Sequence, residues 1–393
     1  MKKNFYIIFK TLELGGIETL IVRLCNFLAD RGHEVHFITS KKGTLTKLLP
    51  QNVKIGYFGA FYPLLIFAKI NNFFIKKPDP NDENYIISFN PQSNFIAMSI
   101  AKSMKIRNFV TGVYHPQSLT KLNTGPNKKL YTDAFLSLNH KNIIAMNEGT
   151  KKQFTEIGYK NVFDIDIFPL PINIPPHHKV DYGGDLRIVS VGRLVEFKSY
   201  PIGIIRALRN MKKEGIIFHY HIYGEGSQKD IIKEEIRNNG LENEVELKGN
   251  IEYSKFHHTV SQYNLFVGMG TAAVEAASIG IPTLVALIDS PDKTYGFLHE
   301  QRGFSVGEIE NRVNFSNLSS ELKNIRTKNN RKKIGEKCKQ HALKFSADKI
   351  IPGIFNRDIR HEPTPWTPKK IQIIIFLITT FLANIVGSRS THK

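Results

Sequence analysis

The order of strand and helix signals along this chain predicts an α/β protein built from two Rossmann-like, doubly wound parallel-sheet domains. Three observations carry that expectation. Short apolar runs that suit buried strands alternate with segments of helical periodicity, the pattern of parallel strands joined by crossover helices. The alternation runs twice, the halves separated by the proline-rich stretch Pro169–Pro176 and then Gly183-Gly184. The length, 393 residues, suits two domains, and 41% hydrophobic with 23% charged residues suits chains that bury a core.

In the first half, Phe5–Phe9 reads as a buried strand. Behind Gly15-Gly16 the residues Leu20, Leu24, Phe27 and Leu28 recur at helical spacing, and Gly32 closes that helix. Val35–Thr39, Tyr85–Phe89, Phe109–Tyr114 and Ile143–Met146 follow as strands. The second half has strand signals at Leu186–Val191, Ile217–Tyr223, Glu244–Leu247, Leu265–Gly268 and Thr283–Leu287. Helices fit 201–213, 227–239, 252–263 and 271–279.

The net charge is +19, and residues 1–180 carry more than half of it, with 23 Lys/Arg against 12 Asp/Glu. A basic half attracts anionic lipid, phosphorylated substrates or nucleic acid. No zinc-finger spacing, helix-turn-helix cue or aromatic RNA-binding signature is present, so nucleic acid is not an expected partner. Cys25 and Cys338 stand far apart, without CxxC spacing, so neither a disulfide framework nor a zinc site is implied and a reducing cytoplasm is the simplest home. Phe5–Phe9 is too short for a signal-peptide core.

Two apolar stretches stand apart from an ordinary core. Residues 60–77 mix Phe, Tyr and Leu with Lys69, Lys76 and Lys77, and read either as a cover over the sheet or as a membrane-contacting surface. Residues 371–386, IQIIIFLITTFLANIV, carry no charge and follow Lys369-Lys370. Sixteen helical residues reach about 24 Å, short of the roughly 30 Å of a hydrocarbon core. Gln372, Thr379, Thr380 and Asn384 share one arc of a helical projection, which favours a helix lying in the membrane face over a span; packing against the protein, or disorder, is the alternative.

The chemistry-bearing residues cluster at strand ends. RIVSVGRLVEFK runs from a buried strand through Gly192 to Arg193 and Lys198, a planar fork and a mobile point charge at the edge where doubly wound sheets bind ligands. Such a pair can hold a diphosphate and stabilise it as a leaving group; two exposed loop cations are the plain alternative. Gly15 and Gly16 let the backbone approach a ligand at a helix N-terminus, or form a plain tight turn. Gly268, Gly270 and Thr271 repeat that arrangement, with Thr271 as the expected N-cap, and Glu275 lies one helical turn further on, placed to accept hydrogen bonds from a ribose diol. His115 follows the strand ending at Tyr114 and could hydrogen-bond a sugar hydroxyl, or serve the loop structurally. Asp164 and Asp166 form a DxD pattern, read here as an edge strand rather than a metal site. No carboxylate or histidine cluster has ligand spacing, and no GxSxG, P-loop or HExxH supports a hydrolase or kinase.

Taken together, LGGIETLIVRLCNFLADRGHEVHFIT, IIAMNEGTKKQFTEIGY, VSVGRLVEFKSYPIGIIRAL, YGEGSQKDIIKEEI, VELKGNI and GTAAVEAASIGIPTLVA resemble a family 4 glycosyltransferase of the GT-B fold. The resemblance implies two domains facing each other across a crevice: an acceptor-binding domain over 1–175 and a nucleotide-sugar-binding domain over 181–345. A helix within 346–360 would cross back to the N-terminal domain, and 361–393 would be a membrane-associated addition. It implies a retaining, metal-independent transfer without a cofactor, from a nucleotide-sugar donor to a lipid-linked or saccharide acceptor. Arg193 and Lys198 would hold the diphosphate, Gly270 and Thr271 would donate amides to it, and Glu275 would bind the ribose. Asn250 and Ile251 would meet the base, Gly15 and Gly16 the donor phosphate or acceptor, and His115 the transferred sugar. One departure stands out. The family's second glutamate, eight residues before the ribose-binding one, is Val267 here, which leaves donor-sugar recognition to other groups such as the Gly268–Gly270 backbone.

Overall fold

The computed structural model describes residues 3–13, 15–79, 81–115, 117–120, 125–176, 178–308, 315–356, 359 and 367–389, the last eight by backbone only. The chain divides into two compact units, 1–171 with 350–393, and 172–349.

Unit 1 holds strands β1 (Lys3–Ile8), β2 (Glu34–Thr39), β3 (Lys54–Tyr57), β4 (Glu83–Ser88), β5 (Asn108–Val113), β6 (Ile143–Ala145) and β7 (Asp166–Ile167). They form one sheet in the order β3-β2-β1-β4-β5-β6-β7, with every pair parallel. The central strand β1 is buried from Phe5 to Ile8, as a strand covered on both faces must be. Helix Gly16–Asp30 turns Leu20, Leu24, Cys25 and Leu28 inward, and Gly32 ends it at φ +75°, a left-handed conformation that glycine adopts without a Cβ clash. Helix Pro91–Met104 is capped by Asn90, whose Oδ1 accepts from Ser93 N at 2.7 Å, with Pro91 in the first turn.

Unit 2 holds β8 (Leu186–Val191), β9 (Phe218–Tyr223), β10 (Val245–Gly249), β11 (Leu265–Gly268), β12 (Thr283–Ala286), β13 (Lys293–Phe297) and β14 (Ser316–Asn317). The order is β10-β9-β8-β11-β12-β13-β14. The first five strands run parallel, as expected of a doubly wound sheet, and β13 and β14 add an antiparallel edge to it. Both of these strands are short and unpatterned, and the pairing of β13 with β12 is broken by a register shift.

Two local expectations also change. The 252–263 segment is a 3-10 turn, Tyr253–Lys255, followed by the short helix Phe256–Val260. The Pro169–Pro176 stretch is no loose connector: Ile172 N donates to Phe345 O at 2.7 Å and Ala347 N to Ile172 O at 2.8 Å, with Ile172 fully buried. The chain then runs through helix Ala347–Phe355, whose Phe355 ring packs edge-on against Phe5 and Tyr85 of unit 1.

Helix Lys370–Arg389 packs on unit 1, and it does so with its polar arc inward. Asn127 Nδ2 donates to Thr379 Oγ1 at 2.7 Å, Gln372 Nε2 donates to Asp133 Oδ2 at 3.3 Å, and Thr380 is buried. Phe376 sits in the core between Phe95 and Tyr131. Among the described residues no helix is long and apolar enough to cross a membrane.

Candidate functional site

In unit 2 the strand order reverses between β8 and β11, the place where a doubly wound sheet binds ligands at its C-terminal edge. Eight of the residues singled out in the sequence come from strand ends on that edge. Arg193 and Lys198 follow β8, Asn250 and Ile251 follow β10, and Gly268, Gly270, Thr271 and Glu275 follow β11.

The turn that carries the two cations is clamped from both sides. Leu194 N donates to Glu225 O at 2.9 Å, Gln228 N donates to Leu194 O at 3.0 Å, and Asp289 N donates to Phe197 O at 2.9 Å. The approach is so close that Gly224 and Gly226 allow nothing larger. A Cβ on Gly224 would lie 1.9 Å from Gly192 O, and one on Gly226 2.2 Å from Leu194 O. Gly224 N in turn donates to Gly249 O at 2.7 Å, which ties the Asn250–Ile251 end to the same edge.

Arg193 is exposed and makes no ion pair or side-chain hydrogen bond among the described residues. Lys198 is half-buried and folds back so that its Nζ lies 3.2 Å from where a Gly192 Cβ would stand. Burial pulls the Lys198 pKa down from 10.5 to about 8, and the nearby Arg193 charge adds to the shift. No carboxylate balances either cation among the described residues. Two cations gathered without an anion form a site that favours one.

Because the folded pKa is the lower one, the shift penalises folding below pH 8, and that penalty is lost as pH rises from about 8 to 10.5. Diphosphate affinity should move the other way. We expect UDP, GDP or ADP binding to weaken as pH passes about 8, and a Lys198→Arg variant, charged throughout, to show a flat profile. Calorimetric titration between pH 6 and about 9.5 measures this; equal slopes for the two proteins would contradict it.

Tyr200 opens helix Tyr200–Lys213 just past Lys198 and is only 3% exposed. Its hydroxyl lies 3.7 Å from the Cβ position of Gly192 and 3.6 Å from that of Gly268, wedged between the ends of β8 and β11. It has no hydrogen-bond partner among the described residues.

At the end of β11, two details differ from the sequence reading. The N-cap is Gly270, at φ +69°, and Thr271 is the first helical residue. A left-handed cap favours glycine over threonine. The Gly270 amide donates to Val306 O at 2.7 Å, so it is not a free donor for a phosphate. Val306 is itself held by the buried carboxylate of Glu308, whose Oε2 accepts from Val306 N at 2.9 Å. The amides of Thr271 and Ala272 meet no backbone acceptor, and the buried Thr271 Oγ1 has no partner among the described residues. They are the unpaired donors that a helix N-terminus offers to an anion.

Glu275 lies one turn on and is only 4% exposed, so it is no solvated surface residue. Tyr253 OH donates to its Oε1 at 3.4 Å, which connects the turn after Asn250 and Ile251 to this carboxylate. Asn250 is exposed and Ile251 half-buried.

The three remaining residues belong to unit 1. Gly15 is the extended N-cap of helix Gly16–Asp30, and its missing side chain leaves room for Glu18, whose Oε2 would lie 2.2 Å from a Cβ there. Gly16 is exposed. His115 follows β5 and is half-buried; its Nδ1 accepts from Gln117 N at 3.2 Å, which places the neutral ring's proton on Nε2. The buried Gln153 fixes this loop, donating to His115 O and accepting from Leu119 N, both at 2.9 Å. Asp166 lies on edge strand β7, with Asp164 and Asp166 exposed around a buried Ile165.

Sequence reasoning missed Tyr200, Tyr253, Gly224 and Gly226. The two glycines flank Glu225 in YGEG, and that spacing was the available signal. A tyrosine at the start of a helix gives none.

Residues 177–340 match the family model described as Glycosyl transferases group 1. A poly(ribitol-phosphate) alpha-N-acetylglucosaminyltransferase of Staphylococcus aureus is 31% identical over 143 residues, 34% of this chain and 27% of that protein. The chain thus matches about a quarter of that relative's length. The structure of Anabaena HepE in complex with UDP and glucose superposes with a TM-score of 0.65 at 15% identity, covering 90% of this chain and 98% of that one. A glycosyltransferase from Rickettsia africae gives 0.64 at 17% identity, covering 91% and 100%. The lipopolysaccharide outer core galactosyltransferase WaaB gives 0.59 at 17%, covering 91% and 98%. The chain therefore has a GT-B fold, and its residues 177–340 match the glycosyl transferases group 1 model.

Proposed function

We propose that this protein is a retaining, metal-independent glycosyltransferase of family 4 type. It moves a hexose from a nucleotide diphosphate-sugar to a lipid-linked or saccharide acceptor, in the assembly of a bacterial surface polymer such as capsule, O-antigen or exopolysaccharide. The work takes place on the cytoplasmic side of the membrane. The observation that carries this reading is the pair Arg193 and Lys198, without a balancing carboxylate among the described residues, on the same sheet edge as the helix N-terminus at Thr271, whose hydroxyl has no partner among them. The staphylococcal relative, named for glycosyl transfer to a phosphate polymer, and HepE, bound to UDP and glucose, support the same donor chemistry.

In this reading the bond between the sugar's anomeric carbon and the diphosphate oxygen breaks, and the electron pair leaves with the diphosphate. The Arg193 fork and the Lys198 ammonium stabilise that charge as it grows, with the Thr271 and Ala272 amides beside them. These cations supply the charge for which a divalent ion would otherwise serve. The acceptor hydroxyl attacks from the face the diphosphate leaves, and its proton passes to the departing phosphate. Glu275 takes the ribose hydroxyls, Asn250 and Ile251 meet the base, and His115 donates from Nε2 to the transferred sugar. Gly15 and Gly16 give backbone room to the donor phosphate or acceptor.

Tyr200 joins the donor-binding residues in this proposal, its hydroxyl, without a partner among the described residues, reaching the diphosphate or the donor sugar. Tyr200→Phe keeps the ring and its burial. We expect transfer to fall about 10- to 100-fold, the range for losing a hydrogen bond to a charged group, with the unfolding midpoint unchanged or raised. Unaltered turnover would return Tyr200 to a packing role.

The deciding experiment is nucleoside diphosphate release from a panel of UDP-, GDP- and ADP-sugars, with and without lipid-linked acceptors. Acceptor-dependent release from one donor supports the transferase and names that donor. Isomerisation without an acceptor would point instead to a nucleotide-sugar 2-epimerase of the same fold. Binding without any release would point to a non-catalytic nucleotide-sugar-binding subunit.

A further inference from the structure

We infer that unit 1 docks on an anionic phospholipid bilayer through the outer ridge of helix Lys370–Arg389 and the aromatic knuckle beside it. The inference deepens the membrane-side reading above and rests on it only for where the acceptor lies; the docking itself needs no donor chemistry.

A helix on the surface of a soluble protein turns its apolar stripe inward and its polar face to water. This one is reversed. Gln372, Thr379 and Thr380 face the protein around Phe376. Ile371, Ile374, Ile378 and Phe381, spaced three, four and three residues apart, form a single outward ridge, each 51–58% exposed. The inward polar contacts hold the helix lengthwise against unit 1, so the ridge is presented side-on, as an interfacial helix lies in a membrane.

The same helix packs on the 3-10 turn Gly59–Ile66, which leads into helix Ala68–Phe74. There the exposed rings of Phe61 and Phe73 gather around Phe74, at 6.5 and 4.9 Å between centroids. Exposed apolar side chains from neighbouring elements mark an interaction surface.

Charge selects the occupant. Lys69, Lys76, Lys77, Lys369 and Lys370 are all exposed around these apolar groups. Residues 59–78 and 367–381 contain no Asp or Glu. A second copy docking through the same patch would set lysines against lysines, as a two-fold interface must. An anionic lipid surface instead attracts each lysine while the ridge enters the acyl boundary.

The test is flotation of the full chain with vesicles of phosphatidylcholine alone or mixed with phosphatidylglycerol. We expect binding to the anionic vesicles, weakened by salt, and little binding to the neutral ones. Ile374→Asp with Ile378→Asp should weaken it more than about tenfold, since two large apolar side chains no longer leave water. Lys76→Glu with Lys77→Glu should weaken it on anionic vesicles only. Each variant is checked by its unfolding midpoint and by retained nucleoside diphosphate binding, so loss of the donor site reads out separately from loss of docking. Three results would overturn the inference: no binding by the wild type, equal binding by the Ile374/Ile378 variant, or light scattering showing a stable dimer that this variant dissociates.

Discussion

Arg193→Ala is expected to lower acceptor-dependent nucleoside diphosphate release about 10²- to 10³-fold, the range for removing one preorganised donor to a developing negative charge. The guanidinium is exposed and unpaired among the described residues, so no folding interaction goes with it. The loss should therefore appear in kcat and in nucleoside diphosphate affinity, with the unfolding midpoint held within about a degree. Arg193→Lys should recover only part of the activity, because an ammonium cannot offer the planar two-point contact. A variant with normal turnover would remove Arg193 from the leaving-group role and weaken the transferase reading itself. A variant that is inactive and also unstable would assign the residue to the loop's architecture instead.

Gly224→Ala tests the architecture from the other direction. Its Cβ would stand 1.9 Å from Gly192 O, at a φ of +146° that a residue with a side chain rarely adopts. The atom it would strike is backbone at the end of β8, so no side chain can swing aside. Overpacking and backbone strain together should destabilise unit 2 by about 2–4 kcal/mol, a drop of roughly 5–15 °C in its unfolding midpoint. Activity should fall as well, since the displaced turn carries both Arg193 and Lys198. Thermal unfolding paired with nucleoside diphosphate binding measures both. An unchanged midpoint would show that the loops yield at this contact and that the clamp does not position the cations.

Much of the site was legible in the sequence for a simple reason. A buried parallel strand is a short, nearly continuous apolar run, and whatever follows it stands at the ligand-binding edge. Leu186–Val191 and Leu265–Gly268 have the same bounds as sequence reading and as β8 and β11, so Arg193, Lys198, Gly268 and Thr271 were placed on the edge by local pattern alone. Glu275 stands among Ala273, Val274, Ala276 and Ala277 in the sequence, and in the fold it is buried with them. The short edge strands β13 and β14 were not legible, because their pairing is set by the neighbouring strand and not by a pattern of their own.

Local pattern therefore determined the two α/β halves, the positions of the central strands along the chain and the strand ends where chemistry gathers. Tertiary structure decided what each group there has left to offer. The Gly270 amide is taken by Val306, thirty-six residues on, while the Thr271 hydroxyl beside it is left without a partner among the described residues. The Tyr200 hydroxyl sits between two strand ends that only the sheet order makes neighbours. The C-terminal helix makes the same point most plainly. Its sequence shows one polar arc and one apolar arc, and the periodicity is identical whichever arc faces water. Only Asn127, Asp133 and the Phe95–Tyr131 pocket, all distant in sequence, draw the polar side inward and leave the isoleucines outside. A periodicity fixes which residues share a face, but the partner that face meets is a property of the folded chain.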